Sequence, residues 1–535
     1  MRRLDCVLFF PPPGAQFQVP EIGLPQLTSF LRTQGAACEA VDLNRTFMED
    51  YLFGRQDQVR ERVARRLGRA KGRPLLKVLD AEDFLSLDFS KTANHSYSFI
   101  ADDAAELWNE LLAVNADRYD IADVVRSAKR GDALFDPFYR EHVRPWARRT
   151  GLVGFSVETS HQLASALHFS KRIKADRPGT KVVLGGTWFI CTRPFLKPFS
   201  AVFDFADFVV PVEGERPLLD LIRLLRKTPS PADAELRRVA GLVLRSGDRL
   251  VDTGDPKPVP MASLSAGDFA HFKPGRFIGS QYPVLSTKGC YWNRCRFCFH
   301  SYAGVETRSK TAGQVLREMK QVVSRYRPKE IELADSAVPL SLLKSLPAGM
   351  RRQGLKVPWT ALVRADEGLT RQDLGRLKAS GCLNLGIGLE SADPAVLRRS
   401  DKGIRLEVLD RLLDEASQVG LRVSLFLIYF PFEDRRSYER SWRYVLDRRD
   451  KIADVSAQYL FLGRNSRLFA EPGRWGLRLA KGFEQDTRSF WLPYSCRGAL
   501  SKAEFYALTS EKFRLFYERS ERGLALSSAP AAACP

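Results

Sequence analysis

Three cysteines within nine residues constrain this chain more than any other feature of its sequence. They stand at Cys290, Cys295 and Cys298 with the spacing C-x4-C-x2-C, directly after a short apolar strand pattern at 283–287. Three thiolates on one loop suit a metal ion or cluster that keeps one position open. A structural zinc site uses four protein ligands, and His300 is the nearest residue that could complete one. An iron–sulfur cluster held by three cysteines instead leaves one iron free for a small molecule. Both interpretations remain open at this point.

The first 230 residues alternate between apolar strand patterns and helical patterns, which predicts an open α/β domain. An Arg-, Asp- and Glu-rich stretch from about 46 to 148 interrupts the alternation and is predicted to be an inserted helical region. Strands are expected at these positions: 7–10, 38–43, 151–157, 181–184 and 208–210.

Polar residues and glycines follow three of these strands at their carboxyl ends, where open α/β sheets bind ligands. Ser156 ends one strand, Gly185 and Gly186 follow the next, and Glu213 with Gly214 follows the third. Paired glycines let a ligand approach the backbone closely, because no Cβ atom stands in the way. The three strand ends together predict a ligand site at this edge of the sheet.

The rest of the chain is predicted to contain a connector, a barrel and a C-terminal segment. Residues 231–278 are expected to form a connector with a hairpin, because alternating residues flank Ser-Gly-Asp at 246–248. Repeated β-then-α units over 279–465 predict a partial parallel barrel, whose active site would lie at the carboxyl ends of its strands. The cysteine loop follows the first of these strands. Residues 466–535 are expected to be an aromatic-rich segment with a disordered tail.

The cysteine loop resembles that of the radical S-adenosylmethionine (radical SAM) enzymes, whose usual spacing is C-x3-C-x2-C with an aromatic residue before the last cysteine. Phe297 occupies the aromatic position, and one extra residue lies between the first two cysteines. The stretch 386–391 resembles the family's mid-barrel strand, and 426–434 resembles a later strand and loop usually written Gly-Phe-Pro-Gly-Glu. The family's Gly-Gly-Glu-Pro motif is absent, and Leu-Ala-Asp-Ser stands at 333–336. The resemblance implies a 4Fe-4S cluster at the three cysteines and S-adenosylmethionine contacts from these residues: Phe297, Arg364, Glu390 and Ser391.

The ordered strand ends of the N-terminal region resemble the cobalamin-binding domain that precedes the cluster loop in one branch of radical SAM enzymes. This resemblance implies an α/β architecture: an open Rossmann-like cobalamin-binding domain, then a partial TIM-type β/α barrel, then a small C-terminal segment. No Asp-x-His-x-x-Gly motif is present, so no histidine is offered as a lower cobalt ligand. Cobalamin contacts are implied at these residues: Ser156, Gly185, Gly186, Glu213 and Gly214.

Resemblance to this branch implies a methyltransferase that acts on an unactivated carbon of a natural product or peptide. An electron donor of the flavodoxin or ferredoxin type would allow reductive cleavage of S-adenosylmethionine to a 5′-deoxyadenosyl radical. Cobalamin would then donate the methyl group, and a second S-adenosylmethionine would methylate the cobalamin again. An enzyme of the same branch that catalyses a rearrangement or ring formation without methylation would carry the same motifs, so this alternative remains open. No catalytic residue is identified.

The net charge of +20, from 83 basic and 63 acidic residues, is the feature that would suit a nucleic-acid partner. The arginines are spread along helical patterns with acids between them, as at 60–73 and 435–449, which favours a solvated basic surface. A zinc-knuckle nucleic-acid-binding protein is the alternative that the charge and His300 suggest. That alternative leaves the strand-end glycines and the 386–391 stretch unexplained, so no nucleic-acid partner is expected.

The sequence also bears on the cellular location of the protein and on the cysteines outside the loop. No run of about eighteen apolar residues is present, so no membrane span is predicted. Cysteines beside a thiolate cluster suit a reducing interior, which predicts a cytoplasmic protein. Ordinary core or loop positions are expected for the following: Cys6, Cys38, Cys191, Cys382 and Cys496.

Overall fold

The fold is taken from a computed structural model. The structure describes residues 3–12, 20–47, 121–131, 135–193, 197–272, 281–298, 306–479, 491–492 and 494–524. The greater part of the predicted inserted region, His300 and the predicted tail beyond residue 524 lie outside these ranges. None of the helices within them has a stretch long and apolar enough to cross a bilayer.

The N-terminal domain is built on a seven-stranded sheet with the strand order β2-β1-β3-β4-β5-β6-β7. The first five strands are parallel, and β1 and β3 lie side by side although the chain passes through β2 between them. The strand order therefore reverses next to β1 and β3, and open α/β sheets bind ligands at such a point. The strands are β1 (Cys6–Phe10), β2 (Cys38–Asp42), β3 (Leu152–Ser156), β4 (Lys181–Gly185), β5 (Phe208–Val209), β6 (Val243–Ser246) and β7 (Arg249–Asp252).

Helices cover both faces of this sheet, which is why β1 reads as a continuous apolar run. Gly23–Thr33 and Glu215–Lys227 pack on one face, in the core that contains Leu31 and Leu221. Ser160–Asp176 packs on the other face and begins with a capping box between Thr159 and Gln162. The described part of the predicted inserted region is helical and packs on this second face, as Ile121–Arg130, Phe135–Phe138, Tyr139–Val143 and Arg144–Ala147.

The hairpin predicted for the connector is present as β6 and β7, with Gly247 at a φ of 59° in its turn. It does not stand alone between domains, because β6 pairs antiparallel with β5. The hairpin therefore forms the edge of the N-terminal sheet. Sequence periodicity predicts the hairpin but carries no information about which neighbouring strand it joins.

The second domain contains six parallel strands in the order β15-β14-β13-β12-β11-β8. Each helix carries the chain back so that the next strand adds beside the previous one, as expected for a partial β/α barrel. The strands are β8 (Gln281–Val284), β11 (Glu330–Leu333), β12 (Trp359–Val363), β13 (Cys382–Glu390), β14 (Arg422–Tyr429) and β15 (Asp454–Tyr459). The connecting helices are Ala312–Tyr326, Leu340–Arg352, Arg371–Ala379, Pro394–Ser400, Leu406–Gln418 and Arg435–Asp447. The predicted α/β fold class is confirmed.

The C-terminal segment adds a helix, Lys502–Leu524, that the sequence analysis does not predict. The helix packs against the last helix of the barrel: the Tyr438 and Thr509 hydroxyls lie 3.0 Å apart, and the Trp442 and Phe513 rings lie 5.1 Å apart. Short strands precede it, namely β16 (Leu462–Gly463), β17 (Leu477–Leu479), β18 (Trp491–Leu492) and β19 (Tyr494–Cys496). The segment therefore covers one side of the barrel.

Candidate functional site

The cysteine loop is held at its base by a two-stranded ribbon. After β8, the short strands β9 (Thr287–Lys288) and β10 (Arg308–Ser309) pair antiparallel, and the cysteine stretch begins directly after β9. Within it the Cys298 amide donates to the Cys295 carbonyl at 3.2 Å. Asn293 has a φ of 44°, a left-handed conformation that asparagine tolerates better than most residues. The additional residue between the first two cysteines is therefore accommodated in a left-handed turn.

The three cysteines differ in burial, and two cationic side chains lie near one of them, Cys295. Cys295 is buried, whereas Cys290 and Cys298 are partly exposed. Burial raises the pKa of the Cys295 thiol to about 11, and the nearby Lys402 and Arg364 act in the opposite direction by favouring the thiolate. Positive charge beside a thiol favours its thiolate form, so the surroundings of Cys295 suit a thiolate ligand. No three His, Cys, Asp or Glu side chains among the described residues are gathered as around a single metal ion.

Contacts from the loops that follow β12 and β13 hold the cysteine loop in place. The Trp292 indole donates to the Asp401 carbonyl at 2.9 Å, and the Arg364 guanidinium lies 4.0 Å from the indole ring centroid. Arg364 also donates to the Lys402 carbonyl at 2.9 Å. A Cβ at Gly403 would overlap the Trp292 ring, so only glycine fits there. Arg364, predicted as a contact to S-adenosylmethionine, therefore also joins the cysteine loop to the strand ends.

Glu390 occupies a strained position at the end of β13. Its φ is 66°, which is unusual for a non-glycine residue, and the β13–β14 register shifts beside it. Its carboxylate pairs with Lys402 at 2.7 Å, and a side chain at Gly388 would overlap both members of the pair. Strain of this kind is concentrated at functional sites. The ion pair thus explains the glycine at 388, whereas a Cβ at Gly386 would instead overlap the side chains of Leu362 and Phe426.

Of the other two residues predicted to contact S-adenosylmethionine, Phe297 lies in the cysteine loop and Ser391 lies in a buried hydrogen-bond network. The Phe297 ring packs edge-on against Phe430 at 5.2 Å and lies 6.0 Å from the Lys402 ammonium, beside the cysteine loop. Ser391 is fully buried, and its hydroxyl contacts Glu433 at 3.2 Å and Ser441 at 3.0 Å. The Ser391 hydroxyl therefore takes part in an internal hydrogen-bond network, although Ser391 directly follows Glu390 in the chain.

Glu433 is the centre of that network and was not predicted as part of it. Its carboxylate accepts hydrogen bonds from the Ser437 hydroxyl at 2.9 Å and the Phe430 amide at 3.2 Å. Burial raises the pKa of Glu433 to about 8, and these hydrogen bonds only partly offset the effect. The motif resemblance marks the position of Glu433, but its serine partners come from a helix and a strand end that the sequence does not place together.

The pH dependence of stability is expected to change in Glu433→Gln. Because the folded pKa of this glutamate lies above its unfolded value, its contribution to stability is complete below about pH 4.5 and falls as pH rises towards 8. The amide does not titrate, so the variant should lose less stability than the parent chain between pH 6 and pH 9. Melting temperatures across this range measure the difference. Parallel losses in the two proteins would contradict the assignment.

Asp335 stands where the family motif Gly-Gly-Glu-Pro is missing. It is buried and accepts hydrogen bonds from the Ser286 amide at 2.9 Å and the Thr287 amide at 2.5 Å. Burial raises its pKa to about 6. The Lys310 ammonium, also buried, pairs with Glu318 at 2.7 Å and donates to the Leu285 carbonyl at 2.8 Å. Asp335 and Lys310 therefore both secure the base of the cysteine ribbon.

A cavity of about 200 Å³ lies at the carboxyl edge of the N-terminal sheet. Its lining includes all five residues predicted to contact cobalamin: Ser156, Gly185, Gly186, Glu213 and Gly214. A corrinoid with its side chains is far larger than this volume, so the cavity could take only part of one. Gly186 has a geometric role, because a Cβ at this position would lie 2.5 Å from both the amide nitrogen and the carbonyl oxygen of Val157.

Four further ionisable residues line the same cavity and were not predicted: Glu21, Glu158, Glu215 and Lys288. Glu21 and Glu158 are carboxylates whose pKa values burial raises to about 7 and about 8. Lys288 comes from the second domain, two residues before Cys290. Glu158 could have been predicted as a cavity residue, because it lies just past the strand end at Ser156. Nothing in the sequence pattern places Lys288 at a cavity of the other domain.

Ion pairs join this cavity to the cysteine ribbon. The Lys288 ammonium lies 2.6 Å from Glu215 and 3.3 Å from Glu213, and Arg308, its partner across the ribbon, also pairs with Glu213. Arg308 donates in addition to the Val259 carbonyl at 2.7 Å. Both strands of the ribbon that carries the cysteines are thus fixed to the Glu-Gly-Glu turn of the N-terminal domain.

Gly186→Ala is expected to destabilise the protein by about 1–3 kcal/mol, the usual cost of forcing a non-glycine residue into such a conformation. The φ of Gly186 is 100°, and its new methyl group would meet backbone atoms that cannot move aside. Gly185→Ala is the matched control, since its nearest contact is an ordinary 3.5 Å to the Val210 carbonyl oxygen. Thermal unfolding of both variants measures the difference, and equal melting temperatures would refute the steric argument.

Comparison with known proteins places the second domain in a family. Residues 284–444 match the Radical SAM superfamily, so this part of the chain is a radical SAM domain. The chain is 27% identical over 309 residues to an uncharacterized methyltransferase of Pyrococcus horikoshii, covering 55% of this chain and 63% of the relative. It is 24% identical over 188 residues to the hopanoid C-3 methylase of Methylococcus capsulatus, covering 34% and 36%. The chain thus matches less than two thirds of the length of these relatives.

Two solved structures share the fold of almost the whole chain. OxsB, a cobalamin-dependent S-adenosylmethionine radical enzyme solved with aqua-cobalamin and S-adenosylmethionine, has a TM-score of 0.62 at 13% identity, covering 98% of this chain and 69% of OxsB. TsrM of Kitasatospora setae, a radical S-adenosylmethionine methyltransferase solved with cobalamin and a [4Fe-4S] cluster, has a TM-score of 0.60 at 15% identity, covering 97% and 89%. At these identities the likeness establishes the fold. Neither result favours the zinc-knuckle alternative.

Proposed function

We propose that this chain, with its radical SAM domain at 284–444, is a cobalamin-dependent radical SAM methyltransferase. Its substrate would be a natural product or peptide with an unactivated carbon, and its electron donor a flavodoxin- or ferredoxin-type protein in a reducing compartment such as the cytoplasm. The observation that carries the proposal is Lys288, which lines the N-terminal cavity only two residues before the first cysteine of the loop. A methyl carrier in the cavity and a radical source on the loop would therefore face a shared space.

The chain's own residues have separable roles in this proposal. Cys290, Cys295 and Cys298 would hold a 4Fe-4S cluster, and when bound the cluster supplies the electron for reductive cleavage of S-adenosylmethionine while cobalamin carries the methyl group. Glu390, with Lys402 as its fixed partner, would present a carboxylate at the mouth of the barrel.

Arg364 would keep the cysteine loop at a constant distance from that mouth through its contacts with Trp292 and Lys402. Phe297 would close the loop against Phe430 and exclude water from the reacting space. The cavity at Ser156, Gly185, Gly186, Glu213 and Gly214 would take part of the cobalamin.

The proposal is tested on protein purified without oxygen from cells supplied with cobalamin. We expect about four iron atoms with matching sulfide and about one cobalt per chain, together with 5′-deoxyadenosine formation on reduction with S-adenosylmethionine. A candidate product that gains the mass of one methyl group would identify the transfer. Iron without cobalt after reconstitution with hydroxocobalamin would remove the methyl carrier. A product of unchanged carbon count would point to a rearrangement instead, and zinc without iron would refute the radical chemistry.

A further inference from the structure

Three arginines gather around one indole beside the cysteine loop, and a fourth stands close to them in the chain. The guanidinium carbons of Arg296, Arg399 and Arg474 lie 5.3, 5.8 and 5.4 Å from the ring centroid of a single indole, that of Trp475. Arg294 stands two residues before Arg296, its guanidinium carbon lies 5.0 Å from the Trp292 ring centroid, and its side chain is 61% exposed. We call these four residues the arginine patch. They come from three separate segments of the chain, so the fold itself brings them together.

The arginine patch is held rigidly beside the cluster ligands. The Arg296 amide donates to the Ser400 carbonyl at 2.9 Å, and the Arg296 carbonyl accepts from the Leu468 amide at 3.0 Å. The Arg296 guanidinium also donates to the Arg399 carbonyl at 3.2 Å. Because Arg294 and Arg296 flank Cys295 in the chain, any partner that contacts the patch lies close to the position of the cluster.

The charge of the patch is only partly neutralised within the protein. Asp401 lies 3.3 Å from Arg294, and Glu471 lies 2.8 Å from Arg474. Within the described ranges no carboxylate forms an ion pair with Arg296 or Arg399. Arg399 lies in the last turn of Pro394–Ser400, where a cation is favoured by the helix dipole, but Arg296 has no such compensation. Like charges around one ring repel, and a partner that brings carboxylates would offset that cost.

We propose that the arginine patch is the docking surface for an acidic one-electron donor protein of the flavodoxin type. The inference rests on the proposed function, because it requires a cluster at the three cysteines. In the step concerned, one electron passes from the reduced flavin of the donor to the oxidised cluster, so the flavin is oxidised to its semiquinone and no bond to either protein forms. Guanidinium groups suit this partner because they bind carboxylates in a planar, bidentate manner. Complementary charge also raises the association rate.

The test compares two double variants of the full-length, cluster-loaded chain. Arg296→Gln with Arg399→Gln removes the two patch arginines that lack a carboxylate partner. Arg351→Gln with Arg352→Gln removes the same charge from the last turn of Leu340–Arg352, at the opposite end of the barrel from the cysteines. Reduction of the cluster by reduced flavodoxin is followed as bleaching of its visible absorbance at several salt concentrations, and dithionite serves as a reductant that needs no docking. Titration with oxidised flavodoxin gives its Kd.

We expect the patch variant to be reduced by flavodoxin about tenfold or more slowly at low salt, with a flattened salt dependence and a weaker Kd. Dithionite rates should not change, and the control variant should behave like the parent. Unchanged flavodoxin rates, or equal losses in the control, would overturn the inference. Binding of both variants to immobilised single-stranded RNA is measured as well. If the patch variant loses RNA binding while its reduction rate by flavodoxin is unchanged, the surface binds nucleic acid and the inference is overturned. Failure of the proposed function is distinct, since the parent chain would then contain no reducible cluster.

Discussion

Cys295→Ala is expected to leave the purified chain with less than about a tenth of the iron and sulfide of the parent protein, and to abolish reductive cleavage of S-adenosylmethionine. Loss of even an indirect contact to a metal site commonly costs 10–100-fold in affinity, and this change removes a ligand outright. Cys295 is the buried member of the three, and the thiol on which Lys402 and Arg364 act. Iron and sulfide content after anaerobic reconstitution, with the spectrum of the dithionite-reduced protein, measures the effect.

Cys496→Ala is the control for general effects of losing a thiol. Cys496 is partly exposed in β19, and its sulfur makes weak contacts with the Trp475 carbonyl at 3.9 Å and the Arg497 carbonyl at 4.0 Å. This variant should retain the iron content of the parent. Full iron retention in Cys295→Ala, or equal loss in both variants, would show that the cluster is not held by the cysteine loop.

Lys310→Met is expected to destabilise the second domain by about 3–5 kcal/mol, because it leaves the Glu318 carboxylate buried without its partner. The Lys310 side chain is 0% exposed and that of Glu318 is 6% exposed, so water cannot replace the lost contact. For a domain of this size the melting temperature should fall by on the order of 10 °C. Thermal unfolding monitored by circular dichroism measures the shift.

The double variant Lys310→Met with Glu318→Met separates the loss of a partner from the loss of packing. When both charges are replaced by apolar side chains, much of the stability should return, as is usual for buried ion pairs. Lys451→Met is the surface control: Lys451 pairs with Asp414 at 2.5 Å where both side chains are well exposed, and exposed pairs contribute little. A double variant as unstable as Lys310→Met would contradict this account.

Local pattern predicts most of the architecture and the parts of the site that lie within single segments. The alternation of strands and helices predicts both sheets, and the strand-end residues from Ser156 to Gly214 all line one cavity. This works because parallel strands bring their carboxyl ends to the same edge whatever their distance in sequence. The three cysteines are equally local, since one ribbon carries them.

Features that depend on docking between elements could not be predicted in this way. Lys288 lines a cavity of the other domain, and no periodicity encodes that contact. Ser391 follows Glu390 in a motif yet has its hydroxyl in a buried network, because the strained turn at Glu390 changes the direction of the chain. The helix Lys502–Leu524 is not predicted, because its aromatic residues look like part of a generally aromatic segment. Only their contact with the barrel identifies the face of the helix that is buried.

The ion pairs between Glu213, Glu215, Lys288 and Arg308 also impose an order on biosynthesis. A ribosome releases the Glu-Gly-Glu segment before residues 288 and 308, so its carboxylates cannot yet pair with these two cations. The cavity acquires Lys288, its lining residue from the second domain, only when that later part of the chain has been made. The domain contact at this edge is therefore completed only after the second domain has been made, when Lys288 and Arg308 bring their positive charges to Glu213 and Glu215.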